Sequence, residues 1–176
     1  MRALVLVEPV FVPTWPWLIS RAMRAVGLKP PVPDLAARAE RRRDIFPSFE
    51  AALSAYLRRG AFKSWPEEVV RDYLKGGLLP TGNGAEMRLA CRPAWEAEDF
   101  RSTPLGIPKL GAKIKCPVTI VHGGKPGGTC RDADAASFAR AHGNTRIVKV
   151  AEASHFLPME FPQVVRAEIR AIAARG

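Results

Sequence analysis

A strand buried on both faces is predicted by Pro117-Val118-Thr119-Ile120-Val121, which runs into His122-Gly123-Gly124. Continuous apolar runs of this kind are typical of parallel sheets, because helices cover both sides of their strands. Two further runs predict strands, Ala3-Leu4-Val5-Leu6-Val7 near the start and Arg146-Ile147-Val148-Lys149-Val150 near the end. The sequence therefore predicts three strands of a parallel sheet.

Predicted helices alternate with these strands. Asp132 to His142 predicts one helix, and Pro162 to Ala174 predicts an amphipathic last helix. Residues from about 15 to 75 show helical spacing, with Ser48 as one helix cap and Ser64-Trp65-Pro66-Glu67 at the spacing of a capping box. Strands that alternate with helices indicate an α/β fold with a partial parallel sheet.

The composition excludes some classes of function. Of the 176 residues, 47% are hydrophobic and 25% are charged, as in ordinary globular proteins. The net charge of +10 suggests nucleic acid as a partner, but the basic residues are scattered. The densest cluster, Arg41-Arg42-Arg43, is bracketed by Glu40 and Asp44, which indicates a solvated helix face. We expect neither nucleic-acid binding nor a membrane span, since no apolar run approaches the roughly 20 residues of a span.

Cysteine usage predicts the compartment. Cys91, Cys116 and Cys130 are odd in number and widely spaced, which indicates a reducing, cytoplasmic environment. This spacing predicts neither a disulfide framework nor a metal site. The apolar start of the chain predicts a strand and not a signal peptide, because Glu8 follows it without a cleavage signature.

Two candidate functional residues come directly after predicted strands. Glu8 follows the first strand, and His155 lies in Ala153-Ser154-His155-Phe156-Leu157-Pro158-Met159-Glu160, after the third. Open α/β sheets place their sites at the carboxyl ends of parallel strands. A histidine there can act as a general base near neutral pH, and a carboxylate can orient it. The alternatives are a surface-loop histidine, and a helix cap or surface ion pair for Glu8.

The glycine-rich segment His122-Gly123-Gly124-Lys125-Pro126-Gly127-Gly128-Thr129 does not match a phosphate-binding loop. Its lysine precedes the second glycine pair, whereas the P-loop lysine follows the glycines and precedes Ser or Thr. We therefore expect a flexible turn between strand and helix. Asp132 and Asp134 open the next helix, where the helix dipole explains acidic residues as well as catalysis does.

These segments together resemble the α/β-hydrolase fold family. Residues 2–9 look like strand six of that family, and Ile114-Lys115-Cys116-Pro117-Val118-Thr119-Ile120-Val121-His122-Gly123 is similar to the start of strand seven. Ala151 to Pro162 is similar to the catalytic-histidine loop after strand eight. The resemblance implies the last three strands of the family's sheet, in residues 1–12 and 106–176, and a helical lid in residues 13–105.

The resemblance also implies roles for individual residues. His155 would be the catalytic base and Glu8 the triad acid, as in certain haloalkane dehalogenases, which keep the acid after strand six. Asp132 is the alternative acid, because the usual position after strand seven holds Lys125 and Pro126. No cofactor or metal is implied. The side chains expected to line an apolar substrate pocket are Phe11, Trp15, Trp17, Trp65 and Phe156.

The chain contains no Gly-x-Ser-x-Gly nucleophile elbow and no early strand with an oxyanion loop. Family order places both before residue 1, so we expect the C-terminal half of a hydrolase, inactive alone. The parent would be a cofactor-free hydrolase of small apolar esters with a Ser-His-acid triad. An aspartate nucleophile would instead make it an epoxide hydrolase or haloalkane dehalogenase. The remaining alternative is a non-catalytic binding or assembly module that self-associates through the exposed sheet edge beside Ala3–Val7.

Overall fold

The protein contains both α-helices and β-strands, as the sequence predicts. The computed structural model describes every residue except 1, 12–17, 20–21, 24, 29–34, 83, 102–110 and 175–176. The strands are β1 (Leu4–Val7), β2 (Ile45–Phe46), β3 (Leu78–Pro80), β4 (Met87–Leu89), β5 (Val118–Gly123) and β6 (Thr145–Val150). The α-helices described over their whole length are α1 (Leu35–Glu40), α2 (Phe49–Tyr56), α3 (Glu67–Gly77), α4 (Pro93–Arg101), α5 (Asp132–His142), α6 (Leu157–Glu160) and α7 (Pro162–Ala173).

The predicted parallel sheet is confirmed, with the strand order β1-β5-β6. Both pairings are parallel, and Ile120 lies between Leu6 on one side and Ile147 on the other. Side chains alternate between the two faces, so each face has its own core. On one face Phe138 of α5, together with Phe11, packs on Leu4, Leu6, Val118 and Ile120. On the other face Leu157 of α6 and Val164 and Val165 of α7 pack on Val5, Val7, Val121 and Val148.

The chain divides into two compact units, and the sheet β1-β5-β6 belongs to the unit formed by Met1–Leu18 and Pro104–Gly176. The other unit, Ile19–Thr103, contains a second sheet with the order β2-β4-β3, which is antiparallel throughout. The prediction of helices alone up to residue 75 is therefore wrong at β2. This strand has two residues, too few to show an alternating pattern. The assignment of residues 13–105 as a lid stays a prediction.

One predicted helix cap is confirmed and another is wrong. The Ser48 hydroxyl accepts a hydrogen bond from the Ala51 N–H at 3.1 Å at the start of α2. The predicted Ser64 cap fails, because α3 begins two residues later, with Pro66 in the cap position and no side-chain cap bond. Pro66 combines a φ of −57° with extended ψ, so the helix starts directly behind it.

The basic cluster after α1 makes internal contacts. Arg42 forms a 2.7 Å ion pair with Glu96 of α4. Arg43 donates to the Ile45 carbonyl at 2.9 Å, and its guanidinium lies 4.9 Å from the centre of the Phe46 ring. All three arginines are exposed, as predicted for a solvated face, and two of them also make contacts within the second unit.

Candidate active site

Glu8 lies at the carboxyl end of β1 in a strained backbone conformation. Its φ is 45°, the left-handed region that costs a residue other than glycine about 1 kcal/mol or more. Its N–H donates to the Val121 carbonyl at 2.8 Å, and its Oε1 accepts a hydrogen bond from the Gly123 N–H. The residue is only 5% exposed. The end of β5 thus holds a buried carboxylate in place, and strain of this kind is frequent at functional sites.

His155 lies in the loop between β6 and α6, next to Glu8. Its Nδ1 is 3.3 Å from Glu8 Oε2 and 2.9 Å from Thr129 Oγ1. A carboxylate accepts hydrogen bonds only, so this pairing favours the tautomer of the neutral ring with its proton on Nδ1. Within the described residues, His155 Nε2 has no hydrogen-bond partner, and the side chain is 36% exposed. An unprotonated and accessible Nε2 is what a general base requires.

The loop that carries His155 is fixed by Glu160 of α6. The Glu160 carboxylate accepts hydrogen bonds from the Ser154 N–H and the Ser154 hydroxyl, both at 2.7 Å. Ser154 Oγ in turn accepts from the Phe156 N–H at 3.1 Å. Both neighbours of His155 are therefore held by one carboxylate and one hydroxyl.

Gly123 and Gly124 allow the histidine loop to approach the end of β5. A Cβ on Gly123 would lie 2.5 Å from the Ala153 carbonyl oxygen, and one on Gly124 would lie 2.8 Å from Ala151 Cα. The Lys125 N–H donates to the Ala153 carbonyl at 3.0 Å. The segment predicted as a flexible turn is therefore anchored at its start. Adjacent glycines directly after a strand were the available signal, because glycine permits close backbone approach.

Asp132, the alternative acid, does not pair with His155 in the structure. It forms a 2.7 Å ion pair with Lys149, and its Oδ1 lies 3.6 Å from Nε2 of His122. The hydrogen bond from Lys149 lowers the pKa of the Asp132 carboxyl below its ordinary value. The structure thus brings Glu8, and not Asp132, beside His155.

The predicted pocket residues lie in different places. Phe11 is 3% exposed in the sheet core, 5.8 Å from the Phe138 ring centre. Trp65 lies in the second unit, where it packs on Phe62 and lines a cavity of about 480 Å³. Phe156 lies beside the catalytic candidate, with its ring centre 5.3 Å from that of His155. Trp15 and Trp17 lie outside the described residues.

Cys130 follows Thr129 but does not have the properties of a nucleophile. Burial, and to a smaller extent the negative charge of Glu8, raises the pKa of the Cys130 thiol to about 12. At neutral pH the thiol is therefore protonated, and the thiolate is the reactive form. All three cysteines are free.

In the described ranges, no group of three or more His, Cys, Asp or Glu side chains is arranged to hold a metal ion. None of the helices described combines the length and apolarity of a membrane-crossing helix.

Solved structures share this fold. No protein-family model matches the chain, and no curated protein does. The hydrolase of E-2-(acetamidomethylene)succinate is 20% identical with a TM-score of 0.67, and the match covers 99% of this chain and 58% of that one. An esterase from Mycobacterium tuberculosis is 19% identical with a TM-score of 0.61, covering 97% and 53%. A peroxisomal α/β-hydrolase from Saccharomyces cerevisiae is 13% identical with a TM-score of 0.66, covering 96% and 44%. The chain therefore has the α/β-hydrolase fold and spans about half the length of these structures.

Proposed function

We propose that this chain supplies the base and the acid of a hydrolase active site, with His155 as the base and Glu8 as the acid. The observation that carries the proposal is the 3.3 Å contact between His155 Nδ1 and Glu8 Oε2, together with the unpartnered Nε2 in the described part of the chain. In the reaction, a hydroxyl would give its proton to Nε2 as its oxygen attacks the substrate carbonyl. The buried Glu8 carboxylate would stabilise the imidazolium, which then protonates the leaving alkoxide.

The nucleophile is proposed to be a serine outside the described residues, with oxyanion donors from the same part of the protein. Within the described ranges, no hydroxyl or thiol donates to Nε2 of His155. Solved structures with this fold extend well beyond the matched region, since the match covers 58% of one and 44% of another. Their names are those of hydrolases and esterases, which supports a hydrolase, and we propose that it acts without a cofactor on small apolar esters.

The first experiment is to translate the DNA upstream of the Met1 codon in frame and to express the extended chain. A Gly-x-Ser-x-Gly sequence between a predicted strand and helix would identify the nucleophile, whereas an aspartate there would favour the epoxide hydrolase or dehalogenase alternative. We expect the extended protein to react with a fluorophosphonate probe, and His155→Ala to lose that labelling. The matched control is His142→Ala, because His142 contacts Thr145 at the start of β6, at the opposite end of that strand from the His155 loop. Equal labelling of wild type and His155→Ala would reject the proposal.

A second measurement concerns the 176-residue chain alone. We expect its hydrolysis of a p-nitrophenyl ester to equal that of its His155→Ala variant, because no hydroxyl or thiol among the described residues donates to Nε2 of His155. A clear difference would show that the chain carries its own nucleophile.

A second candidate function, an assembly module, is favoured by the outer edge of β1. Strand β1 pairs with β5 on one side, and no strand in the described residues pairs with its other side. Unpaired strand edges recruit other strands. If this candidate is correct, the chain alone should elute as one defined oligomer that dissociates when Val5→Pro blocks the edge. A monomer would reject self-association.

A further inference from the structure

We propose that Thr129 is a positioning residue for His155, sharing the Nδ1 proton with Glu8 and setting the orientation of the ring. This inference rests on the proposed role of His155 as the base. Two oxygen atoms lie close to Nδ1 of His155. Thr129 Oγ1 lies 2.9 Å from Nδ1, whereas Glu8 Oε2 lies 3.3 Å away. Hydrogen bonds between an ionised partner and an N–H usually measure about 2.7–2.9 Å, so the carboxylate contact is long and the hydroxyl is the closer acceptor.

The direction of the Thr129 hydrogen bond follows from the neighbouring carboxylate. If the hydroxyl donated to Nδ1, that nitrogen would carry no proton, and Glu8 Oε2 would face its lone pair at 3.3 Å. Two acceptors at that distance repel each other. With the proton on Nδ1, both oxygens accept it, and the Thr129 hydroxyl is free to donate to the Glu8 carbonyl 3.5 Å away. Thr129 therefore accepts from His155.

Thr129 is well placed to hold this geometry. Its own carbonyl accepts a hydrogen bond from the Phe11 N–H at 3.2 Å, and Phe11 is anchored in the sheet core. The residue thus connects the loop before α5 to the segment after β1, on which Glu8 lies. The Thr129 hydroxyl thus contacts the ring of His155 and the backbone of Glu8, while the Thr129 carbonyl ties the β5–α5 loop to Phe11.

A consequence concerns the tautomer of His155. The Thr129→Val substitution keeps the shape of the side chain but removes the acceptor. Loss of one hydrogen bond to Nδ1–H should raise the ratio of the Nε2–H to the Nδ1–H form on the order of fivefold. The Nε2–H form cannot accept a proton from a nucleophile at that nitrogen, so the ring would be a base for a smaller fraction of the time.

The test measures imidazole ¹⁵N chemical shifts in ¹⁵N-histidine-labelled protein at mildly alkaline pH, which report the tautomer directly and need no activity. We expect the Nδ1–H form to dominate in the wild type, Thr129→Val to increase the Nε2–H form, and Thr129→Ser to restore the wild-type ratio. The matched control is Thr145→Val, because the Thr145 hydroxyl contacts His142 Nδ1 at 2.8 Å. That variant should alter the His142 signals and leave those of His155 unchanged.

The outcomes separate this inference from the proposed function. Wild-type His155 shifts in Thr129→Val would overturn the role of Thr129 and leave the Glu8 pairing intact. Unchanged shifts in Glu8→Gln would instead remove the proposed acid. If Thr129→Val does not fold, the wild-type protein is tested instead. The inference requires that its His155 Nδ1–H exchanges slowly and shows a nuclear Overhauser effect to the Thr129 Hβ. Absence of that signal would also overturn it.

Discussion

His155 and His122 lie at the same edge of one parallel sheet, and each has a carboxylate nearby, yet only one of them is arranged as a base. His122 is 1% exposed, with Nδ1 3.1 Å from the Gly123 carbonyl and Nε2 3.6 Å from Asp132. The His155 side chain is 36% exposed, with its Nδ1 held and, in the described part of the chain, its Nε2 without a hydrogen-bond partner. Proximity of a carboxylate is therefore insufficient, since a base also needs one nitrogen that solvent and substrate can reach.

The two carboxylates differ as much as the two histidines. The Glu8 side chain is 3% exposed, and no lysine or arginine among the described residues forms an ion pair with it. The Asp132 side chain is 66% exposed and is paired with Lys149. A buried carboxylate without a cationic partner stabilises a neighbouring imidazolium more strongly than an exposed, neutralised one. This contrast assigns the acid role to Glu8 in our proposal.

The largest expected effect is on catalysis in the extended, active protein. Glu8→Gln should lower kcat/KM for a p-nitrophenyl ester by on the order of 10³- to 10⁴-fold, because the amide no longer fixes the tautomer or stabilises the imidazolium. Asp132→Asn should lower it by less than about tenfold, since that carboxylate is exposed and paired elsewhere. If the two variants rank in the opposite order, the acid is Asp132 and the contrast between the carboxylates is misread.

The next effect concerns how β5 supports His155. Gly123→Ala should destabilise the fold by about 3 kcal/mol, because the new Cβ meets the Ala153 carbonyl at 2.5 Å and neither backbone segment can move freely. The control is Gly76→Ala in α3, where a Cβ meets nothing within 4 Å and alanine should stabilise the helix by about 0.5–1 kcal/mol. Urea unfolding of both variants checks this. A Gly123→Ala midpoint equal to wild type would show that the histidine loop does not depend on this contact.

The sequence was informative where one physical requirement dominates a stretch. Strands covered on both faces need apolar side chains at every position, so Val118–Val121 and Leu4–Val7 were visible as strands without any partner in view. Residues directly after parallel strands share one edge, which is why Glu8 and His155 could be paired as candidates. The choice of Glu8 over Asp132 came from the family resemblance and not from spacing.

The features that the sequence did not predict depend on tertiary contacts. In the sequence Thr129 is an ordinary loop residue. Its role depends on contacts with His155 and with the segment after β1, and no local sequence pattern predicts these contacts. The positive φ of Glu8 is likewise imposed by its bonds to β5, since glutamate has no preference for that region. The short strand β2 exists only because β4 pairs with it. Such features are set by neighbours distant in the chain.

A smaller effect distinguishes a loss of global stability from a loss of order in the His155 loop. Ser154→Ala should cost about 1–2 kcal/mol, because it removes a hydrogen bond to the Glu160 carboxylate and another to the Phe156 N–H. Ser48→Ala should cost a similar amount, about 1 kcal/mol, by removing the α2 cap in the other unit. Only Ser154→Ala should broaden the ¹⁵N signals of His155. Equal broadening in both variants would mean that the loop responds to global stability alone.

The smallest effect is the pH dependence of the Asp132 pair. The hydrogen bond from Lys149 lowers the pKa of Asp132 from its ordinary 3.8, so the pair stabilises the fold above that value and ceases to do so as pH falls through the lowered folded-state pKa. Urea midpoints of wild type and Asp132→Asn should therefore differ slightly at neutral pH, begin to converge below about pH 4, and coincide once the pH is below the lowered pKa of the folded state. Lys149→Met should remove the same increment and add nothing in the Asp132→Asn background. If the urea midpoints still differ at the lowest pH, Asp132 contributes to stability through its packing and not its charge. The contrast between the exposed, neutralised Asp132 and the buried Glu8 would then need another physical basis.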